Sequence, residues 1–179
     1  MFYKSKTKQK SFPMDGNAAK VLMDLPQNNF RIQSSLKLNE KFTLSNRVEA
    51  IWYDNNGPFR EQGFLMYEQG DYKPSKIFSG NLCLQYFETN GYNSRLYSYE
   101  NDLLYNYSVP AFFGSGFHYY FNCRFNLGTL LKMKKRYDLA CWLKWSQTIY
   151  TNKQTIGSGL DIINGNKRSE IKVQIIAEF

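Results

Sequence analysis

The chain has no long apolar run, and no stretch of its 179 residues approaches the ~20 apolar residues that a membrane-spanning helix needs. Its mean hydropathy of −0.54 is also too low for a helical membrane protein. Neither observation excludes a membrane β-barrel, because barrel strands alternate apolar with polar residues and keep a low average hydropathy. A chain of this length fits one domain with a sizeable core.

Histidine and cysteine are scarce, which leaves little material for metal or nucleophilic chemistry. The three cysteines Cys83, Cys123 and Cys141 lack CxxC spacing, and their odd number argues against a disulfide framework. The single histidine, His118, follows Ser115 by three residues, but no orienting acid accompanies them as a serine hydrolase requires. Residues 157–159 lack the lysine of a phosphate-binding loop. We therefore predict no enzyme, no cofactor and no metal site.

Acidic residues are fewer than basic ones, and the formal net charge is +8. Lys4, Lys6, Lys8 and Lys10 alternate near the amino terminus, which keeps a basic nucleic-acid-binding module open as an alternative. Most other basic residues are interleaved with acids, so nucleic acid is not the favoured partner. The same lysines stand where a signal peptide has its apolar core. We therefore expect any export signal to belong to a longer chain.

Aromatic residues are abundant, with 14 Tyr and 14 Phe, and they recur in alternating segments that are typical of strands. Seven segments fit this description: 30–38, 42–52, 60–70, 78–86, 117–127, 137–145 and 169–179. The segment at 117–127 is the most regular, while the faces of 60–70 are unclear. Segments of about ten residues suit a tilted strand that crosses a membrane.

The connections between these segments alternate in length. Those near Asn39, at 71–75 and at 128–134 are short, whereas 54–61, 88–115 and 151–168 are longer. Outer-membrane barrels combine short periplasmic turns with long external loops.

The sequence therefore predicts an all-β, antiparallel up-and-down transmembrane β-barrel of about seven or eight strands, or an incomplete part of one. Residues 1–28 are expected to form a remnant strand and an external loop. Residues 29–179 are expected to form the barrel region, with a long loop at 88–115 and a terminal strand at 169–179.

The polar face of the strands could line a lumen while the apolar face meets lipid. The predicted lumen-facing residues are Arg31, Lys37, Arg47, Glu49, His118, Arg124, Lys144, Glu170 and Lys172. The inverse arrangement, a soluble β-barrel that binds an apolar ligand inside, stays open as an alternative. The aromatic-rich loop 88–115 is either a packed external loop or a ligand-binding loop, and its Glu100 and Asp102 are expected to be solvated.

Four segments carry a family resemblance: Arg95–Tyr105, Pro110–Gly114, Thr155–Asp161 and Ser169–Gln174. Together they resemble the carboxy-terminal half of outer-membrane β-barrel proteins of Bacteroidota, some of which carry an amino-terminal helix-hairpin-helix region. The resemblance covers most of residues 28–179, and the helical region and export signal have no counterpart here. It implies that the last strand carries the signal read by the barrel-assembly machinery. That signal maps onto Ile171, Val173, Ile175, Ala177 and Phe179.

These expectations combine into one functional hypothesis. We expect a non-enzymatic outer-membrane β-barrel, or its carboxy-terminal part, that acts as a pore, a docking element or an anchor. Its partners would be outer-membrane lipid, the barrel-assembly machinery and an unidentified partner protein.

Overall fold

The computed structural model describes residues 1–14, 17–54, 57–132, 138–157 and 159–178. The elements in chain order are β1 (Phe2–Met14), β2 (Asn17–Lys37), β3 (Phe42–Tyr53), β4 (Glu61–Tyr72), β5 (Phe78–Thr89), β6 (Leu96–Tyr97), β7 (Ala111–Phe112), β8 (Ser115–Asn126), α1 (Leu127–Leu130), β9 (Asp138–Tyr150), β10 (Thr155–Ile156), a 3-10 turn (Gly159–Asp161), β11 (Ile163–Asn164) and β12 (Lys167–Glu178). The predicted all-β class is confirmed. In the described part of the chain, no helix is long and apolar enough to span a bilayer.

Eight long strands form one antiparallel sheet in the order β1-β2-β3-β4-β5-β8-β9-β12. Each long strand pairs with the next long strand along the chain, so the predicted up-and-down arrangement is confirmed. The sheet is open in this structure, with β1 and β12 as its edges. The short pairs β6–β7 and β10–β11 lie in two of the connections.

The two faces of the sheet differ in polarity. We call the face covered by the connection between β5 and β8 the inner face and the opposite one the outer face. On β3, Arg47, Glu49 and Ile51 are buried on the inner face, whereas Val48 on the outer face is exposed. The segment whose faces were unclear becomes β4, in which Leu65 is buried and its neighbours Phe64 and Met66 are exposed. The period-2 alternation therefore gives the faces correctly along the long strands.

The outer face carries large apolar side chains that are exposed by more than a third of their surface. They are Ile32, Leu36, Val48, Phe64, Met66, Leu82, Leu84, Phe117, Phe121, Phe125, Leu143, Trp145, Ile171, Val173 and Ile175. A short polar row, made of the paired residues Ser34, Asn46 and Glu68, interrupts this surface on β2 to β4. Most of the outer face is an extended apolar surface, far beyond the scattered apolar residues of a typical soluble protein.

In the amino-terminal segment, a strand is present as expected, but the residues expected to form an external loop belong mostly to β1 and β2. β1 pairs with β2 from Phe2, opposite Arg31, to Met14, opposite Asn17. Pro26, which falls in the expected loop, lies within β2 opposite Thr7. Before Gln27, the described residues of β2 form no ladder with β3, so this first part of β2 belongs to a hairpin with β1.

The connections follow the predicted alternation only in part. The loops at 90–114 and 151–166 are long, and the turns at 38–41 and 73–77 are short. The connection at 127–137, predicted to be short, is longer than the one at 54–60, predicted to be long. The helical turn α1 occupies the first part of that connection. Its cap is Asn126, whose side chain accepts a hydrogen bond from the Thr129 backbone at 2.7 Å.

Candidate functional site

The connection between β5 and β8, residues 90–114, folds over the inner face, and we call it the inner loop. Leu96, Ser98 and Glu100 are buried, while the intervening Tyr97 and Tyr99 are exposed. The pairing of β6 with β7 and a bridge between Glu100 and Ser108 make the loop an irregular hairpin. Its alternate residues therefore point at the sheet.

Hydrogen bonds hold both ends of the inner loop. At its start, the Glu61 carboxylate accepts hydrogen bonds from the backbone N–H groups of Asn93 at 2.7 Å and Ser94 at 3.0 Å. At its end, the N–H of Gly114 donates to the Thr89 hydroxyl at 2.9 Å. The φ of Gly114 is +87°, a left-handed conformation that favours glycine. These contacts fix the direction in which the loop leaves the sheet.

An apolar layer joins the inner loop to the sheet. Leu96 and Phe112 of the loop pack against Ile51, Leu65 and Phe87 of β3, β4 and β5. The rings of Phe87 and Phe112 lie 5.1 Å apart between centroids, in a tilted arrangement. All five side chains are at most 4% exposed, and burial of each contributes about 1.5–3 kcal/mol.

Beyond this layer, two acids of the loop meet three basic residues of β8, β9 and β12. Glu100 lies 2.8 Å from the Lys144 ammonium and 2.9 Å from His118 Nε2. Asp102 lies 2.9 Å from the Lys172 ammonium and 3.3 Å from that of Lys144. We call these five residues the acid–base cluster. Buried charges of this kind are stable only when they are paired.

The surroundings shift the pKa values of both loop acids in the same direction. Burial opposes ionisation of Glu100, but the hydrogen bonds and charges of His118 and Lys144 outweigh it and lower its pKa. Burial likewise opposes ionisation of Asp102, and a hydrogen bond from Lys172 helps to lower its pKa. Both carboxylates are therefore ionised at neutral pH, as ion pairing requires.

A second charged group lies on β2 and β3. Arg31 donates from Nε and Nη2 to the two oxygens of Glu49, both at 3.0 Å. Arg47 also pairs with Glu49, and its Nη2 donates to the backbone oxygen of Tyr97 at 2.9 Å. This group therefore holds the inner loop from the side opposite the acid–base cluster.

The strand register puts all nine predicted lumen-facing residues on the inner face. Arg47, Glu49, His118 and Lys144 are buried, Arg31, Arg124 and Lys172 are partly buried, and Lys37 and Glu170 are exposed. Arg124 stacks over the Trp142 ring at 5.1 Å. The structure brings Arg31, Arg47 and Glu49 together, and separately His118, Lys144 and Lys172.

The expectation that Glu100 and Asp102 are solvated is wrong. Glu100 is 4% exposed, and the side chain of Asp102 has no exposed surface. The reason is that the loop turns inward, where the lysines of the strands attract its acids.

The predicted barrel-assembly residues lie on the edge strand β12. Ile171, Val173, Ile175 and Ala177 are exposed on its outer face, and Phe179 lies outside the described residues.

Sequence reasoning did not single out several buried polar residues that contact the inner loop. The Tyr120 hydroxyl donates to Gln69 at 2.9 Å and accepts from the Asn101 backbone at 3.2 Å. The Asn122 side chain donates to the Asp102 carbonyl at 3.1 Å. Tyr120 and Asn122 share the polar face of β8 with His118, and that shared face was the available signal.

Cavities remain on both sides of the inner loop. The larger of these two cavities has a volume of about 460 Å³ and lies between the loop, the start of β3 and the ends of β4 and β8. Asp71, Asn122 and Arg124 help to line it. The smaller one, about 270 Å³, lies between the loop and β1 and β2, with Lys4 and Lys6 at its wall.

The described residues assemble no group of three or more His, Cys, Asp or Glu that could hold a metal ion. His118 and Ser115 do not contact each other through a hydrogen bond. The His118 Nδ1 lies 2.8 Å from the Thr148 hydroxyl, and Ser115 accepts from the Thr151 hydroxyl at 2.9 Å. The arrangement is suited to ion pairing and hydrogen bonding between loop and sheet.

Comparison with known proteins adds no relative: no protein-family model matches the chain, and neither curated proteins nor solved structures give a significant match.

Proposed function

We propose that this chain is a membrane β-barrel element of the outer membrane that serves as an anchor or docking element rather than an open pore. The observation that carries the proposal is the inverted distribution of side chains. The outer face exposes apolar residues such as Leu84 and Ile171, while the inner face buries charges such as Glu49 and Lys144. Lipid, and not water, is the solvent that suits this outer face.

The polarity of the inner face separates this proposal from a soluble barrel with an apolar ligand. Such a barrel needs an apolar interior and a polar exterior. Here the acid–base cluster and the group around Glu49 lie inside, and the edge strand β12 exposes Val173 by 61% on the outside. Both features favour a protein that is surrounded by lipid.

The inner loop favours anchoring or docking over conduction. It covers the inner face with an apolar layer around Phe112 and with the ion pairs of Glu100 and Asp102. A wide aqueous path would need these contacts to be absent or to open. The exposed loop residues Tyr105 and Tyr107 offer a surface for a partner protein.

Refolding of the denatured chain in the presence and absence of detergent tests the proposal. We expect monodisperse, β-rich protein only with detergent or lipid, because the outer face is apolar. A monodisperse, β-rich protein in plain buffer would contradict the proposal.

Two matched arginine variants sharpen this test. Phe121→Arg puts a charge on the outer face and should reduce insertion into lipid vesicles, at a cost of about 2–4 kcal/mol near the bilayer midplane. Tyr105→Arg adds the same charge to a loop residue that is 89% exposed, and it should insert like the wild type. Equal insertion of the two variants would contradict the assignment of the outer face to lipid.

A further inference from the structure

The larger cavity has a wall of hydrogen-bond acceptors that comes from three neighbouring strands. Asp71 on β4 is paired with Asn81 on β5, and Asn81 is paired with Asn122 on β8. All three residues line the cavity. Asn122 is 5% exposed, and its amide nitrogen donates a hydrogen bond to the Asp102 carbonyl. Its Oδ1 is buried without a partner among the described residues. The Oδ1 of Asn81 is likewise buried without a described partner.

The same cavity is lined by charged residues that lack an ionic partner among the described residues: Asp71 and Arg124 are half-buried, and Glu40, Lys41 and Lys73 are exposed. The Asp71 carboxylate accepts hydrogen bonds from the amide of Gln69 at 3.0 and 3.1 Å, but it pairs with no cation among the described residues. Arg124 forms no ion pair among them either, and its Nε is buried without a hydrogen-bond partner. Partly buried charges are stabilised by an opposite charge, so the cavity suits a ligand that carries both.

The register gives the spacing of the backbone positions that carry the Asn122 amide and the Arg124 guanidinium. Arg124 lies two residues beyond Asn122 on β8 and on the same face, which is about 7 Å along a strand. A chain of two residues spans about 7 Å when extended. The length of a dipeptide is therefore close to the backbone spacing of Asn122 and Arg124, and a cavity of about 460 Å³ is large enough for a small ligand.

We propose that this cavity binds a short zwitterionic peptide with both termini free. The ammonium group would donate to Asp71, Asn81 and Asn122, and the carboxylate would accept from Arg124. The lysines Lys41 and Lys73 line the same cavity and add attraction for the carboxylate. This inference does not depend on the membrane proposal, since it concerns only the inner face and the inner loop.

Isothermal titration calorimetry of the full chain with L-alanyl-L-alanine tests the proposal, in detergent or in buffer, whichever keeps the chain folded. We expect saturable binding of the free dipeptide. Binding should be at least about tenfold weaker for the N-acetylated dipeptide, which lacks the ammonium, and for the dipeptide amide, which lacks the carboxylate. These comparisons use the wild-type chain, so they do not depend on the folding of a variant.

Matched variants locate the site. Asp71→Asn and Arg124→Gln should each weaken binding of the free dipeptide at least about tenfold. Glu170→Gln and Arg168→Gln remove the same charges from residues that line a different cavity, and they should leave binding unchanged. Absence of saturable binding up to about 10 mM, equal binding of the capped dipeptides, or equal effects of the two variant pairs would overturn the proposal.

Discussion

Glu100 is the residue through which the inner loop is tied to two strands at once. Its carboxylate lies 2.8 Å from the Lys144 ammonium and 2.9 Å from His118, and Lys144 is only 1% exposed. We expect Glu100→Gln to lower the free energy of unfolding by about 3 kcal/mol, because it leaves a buried lysine with weaker compensation. Denaturant titration of the detergent-folded protein measures this change.

Glu88→Gln is the matched control for that substitution. Glu88 is exposed on β5 and accepts a hydrogen bond from the Tyr86 hydroxyl at 2.7 Å. Its replacement should change the unfolding free energy by less than about 0.5 kcal/mol. If both variants unfold at the same denaturant concentration, the buried ion pairs do not hold the inner loop.

The pH dependence of stability follows from the two loop acids. Glu100 and Asp102 have pKa values below their ordinary values of 4.5 and 3.8 in the folded chain. A lowered pKa means that ionisation favours the folded state, so the stabilisation exists above the ordinary pKa and is lost as the pH falls through the folded one. We expect the stability difference between wild type and the double variant Glu100→Gln/Asp102→Asn to be full at neutral pH and to shrink below about pH 4. Unfolding curves at a series of pH values measure it, and a difference that stays constant down to acid pH would argue against these pairs.

For single residues, the sequence predicts the face of the sheet on which a side chain lies but not the residue with which it pairs. Period-2 alternation is enough to place Arg47, Lys144 and Lys172 on the inner face, since a strand has only two faces. It does not show that Glu100 and Asp102 reach those lysines, because the path of a loop depends on tertiary contacts. One clue was available. Six of the nine predicted inner residues are cations and only Glu49 and Glu170 are acids, so further acids had to come from elsewhere.

At the scale of elements, the seven predicted segments match long strands, because apolar and polar residues alternate with period 2 along most of them. The pairing of β1 with the first part of β2, where a loop was expected, was missed for a physical reason. Pro26 and the lysines from Lys4 to Lys10 are not strand formers, and pairing between the two segments holds them extended. The inner loop was recognised as aromatic-rich, but its hairpin contains only the short strands β6 and β7, which leave little periodic signal.

The apolar layer of the inner loop gives a prediction at the element scale. Phe112 is 3% exposed and packs on Phe87 and His118. Phe112→Ala should lower the unfolding free energy by about 3–5 kcal/mol, because it removes a buried ring and leaves a cavity. It should also make the inner loop more sensitive to protease while the long strands stay protected.

Tyr105→Ala is the control within the same loop. Tyr105 is 89% exposed, and its φ of +64° is no more strained for alanine than for tyrosine. Its replacement should leave both stability and protease sensitivity near the wild-type values. Equal proteolysis of the two variants would show that the apolar layer does not fix the loop.

At the scale of the whole molecule, the register indicates how the open sheet could close. A line of directly paired residues crosses the sheet through Phe2, Arg31, Glu49, Leu65, Phe87, Gly116, Tyr150 and Asn166. It reaches the chain just before β12. In a closed barrel of eight strands, a line of paired residues followed once around the barrel returns to the starting strand about 8–12 residues from where it began, and this offset is the stagger. Such a stagger would set Phe2 opposite residues 174–178 and would bring the two edges together in antiparallel pairing. The stagger must be even, because Phe2 and Gln174 both belong to the inner face.

Cysteine pairs can identify that closing register. In a chain with Cys83, Cys123 and Cys141 replaced by alanine, we combine Ser5→Cys with Ile171→Cys, Val173→Cys or Ile175→Cys, which correspond to staggers of about 8, 10 and 12 residues. We expect one combination to form an intramolecular disulfide readily in detergent, since antiparallel closure puts one of the three β12 positions opposite Ser5. Ser5→Cys with Leu84→Cys, on the central strand β5, is the control and should not cross-link. If the cysteines stay reactive and only intermolecular dimers form, β1 and β12 pair with other strands and the eight strands do not close on themselves.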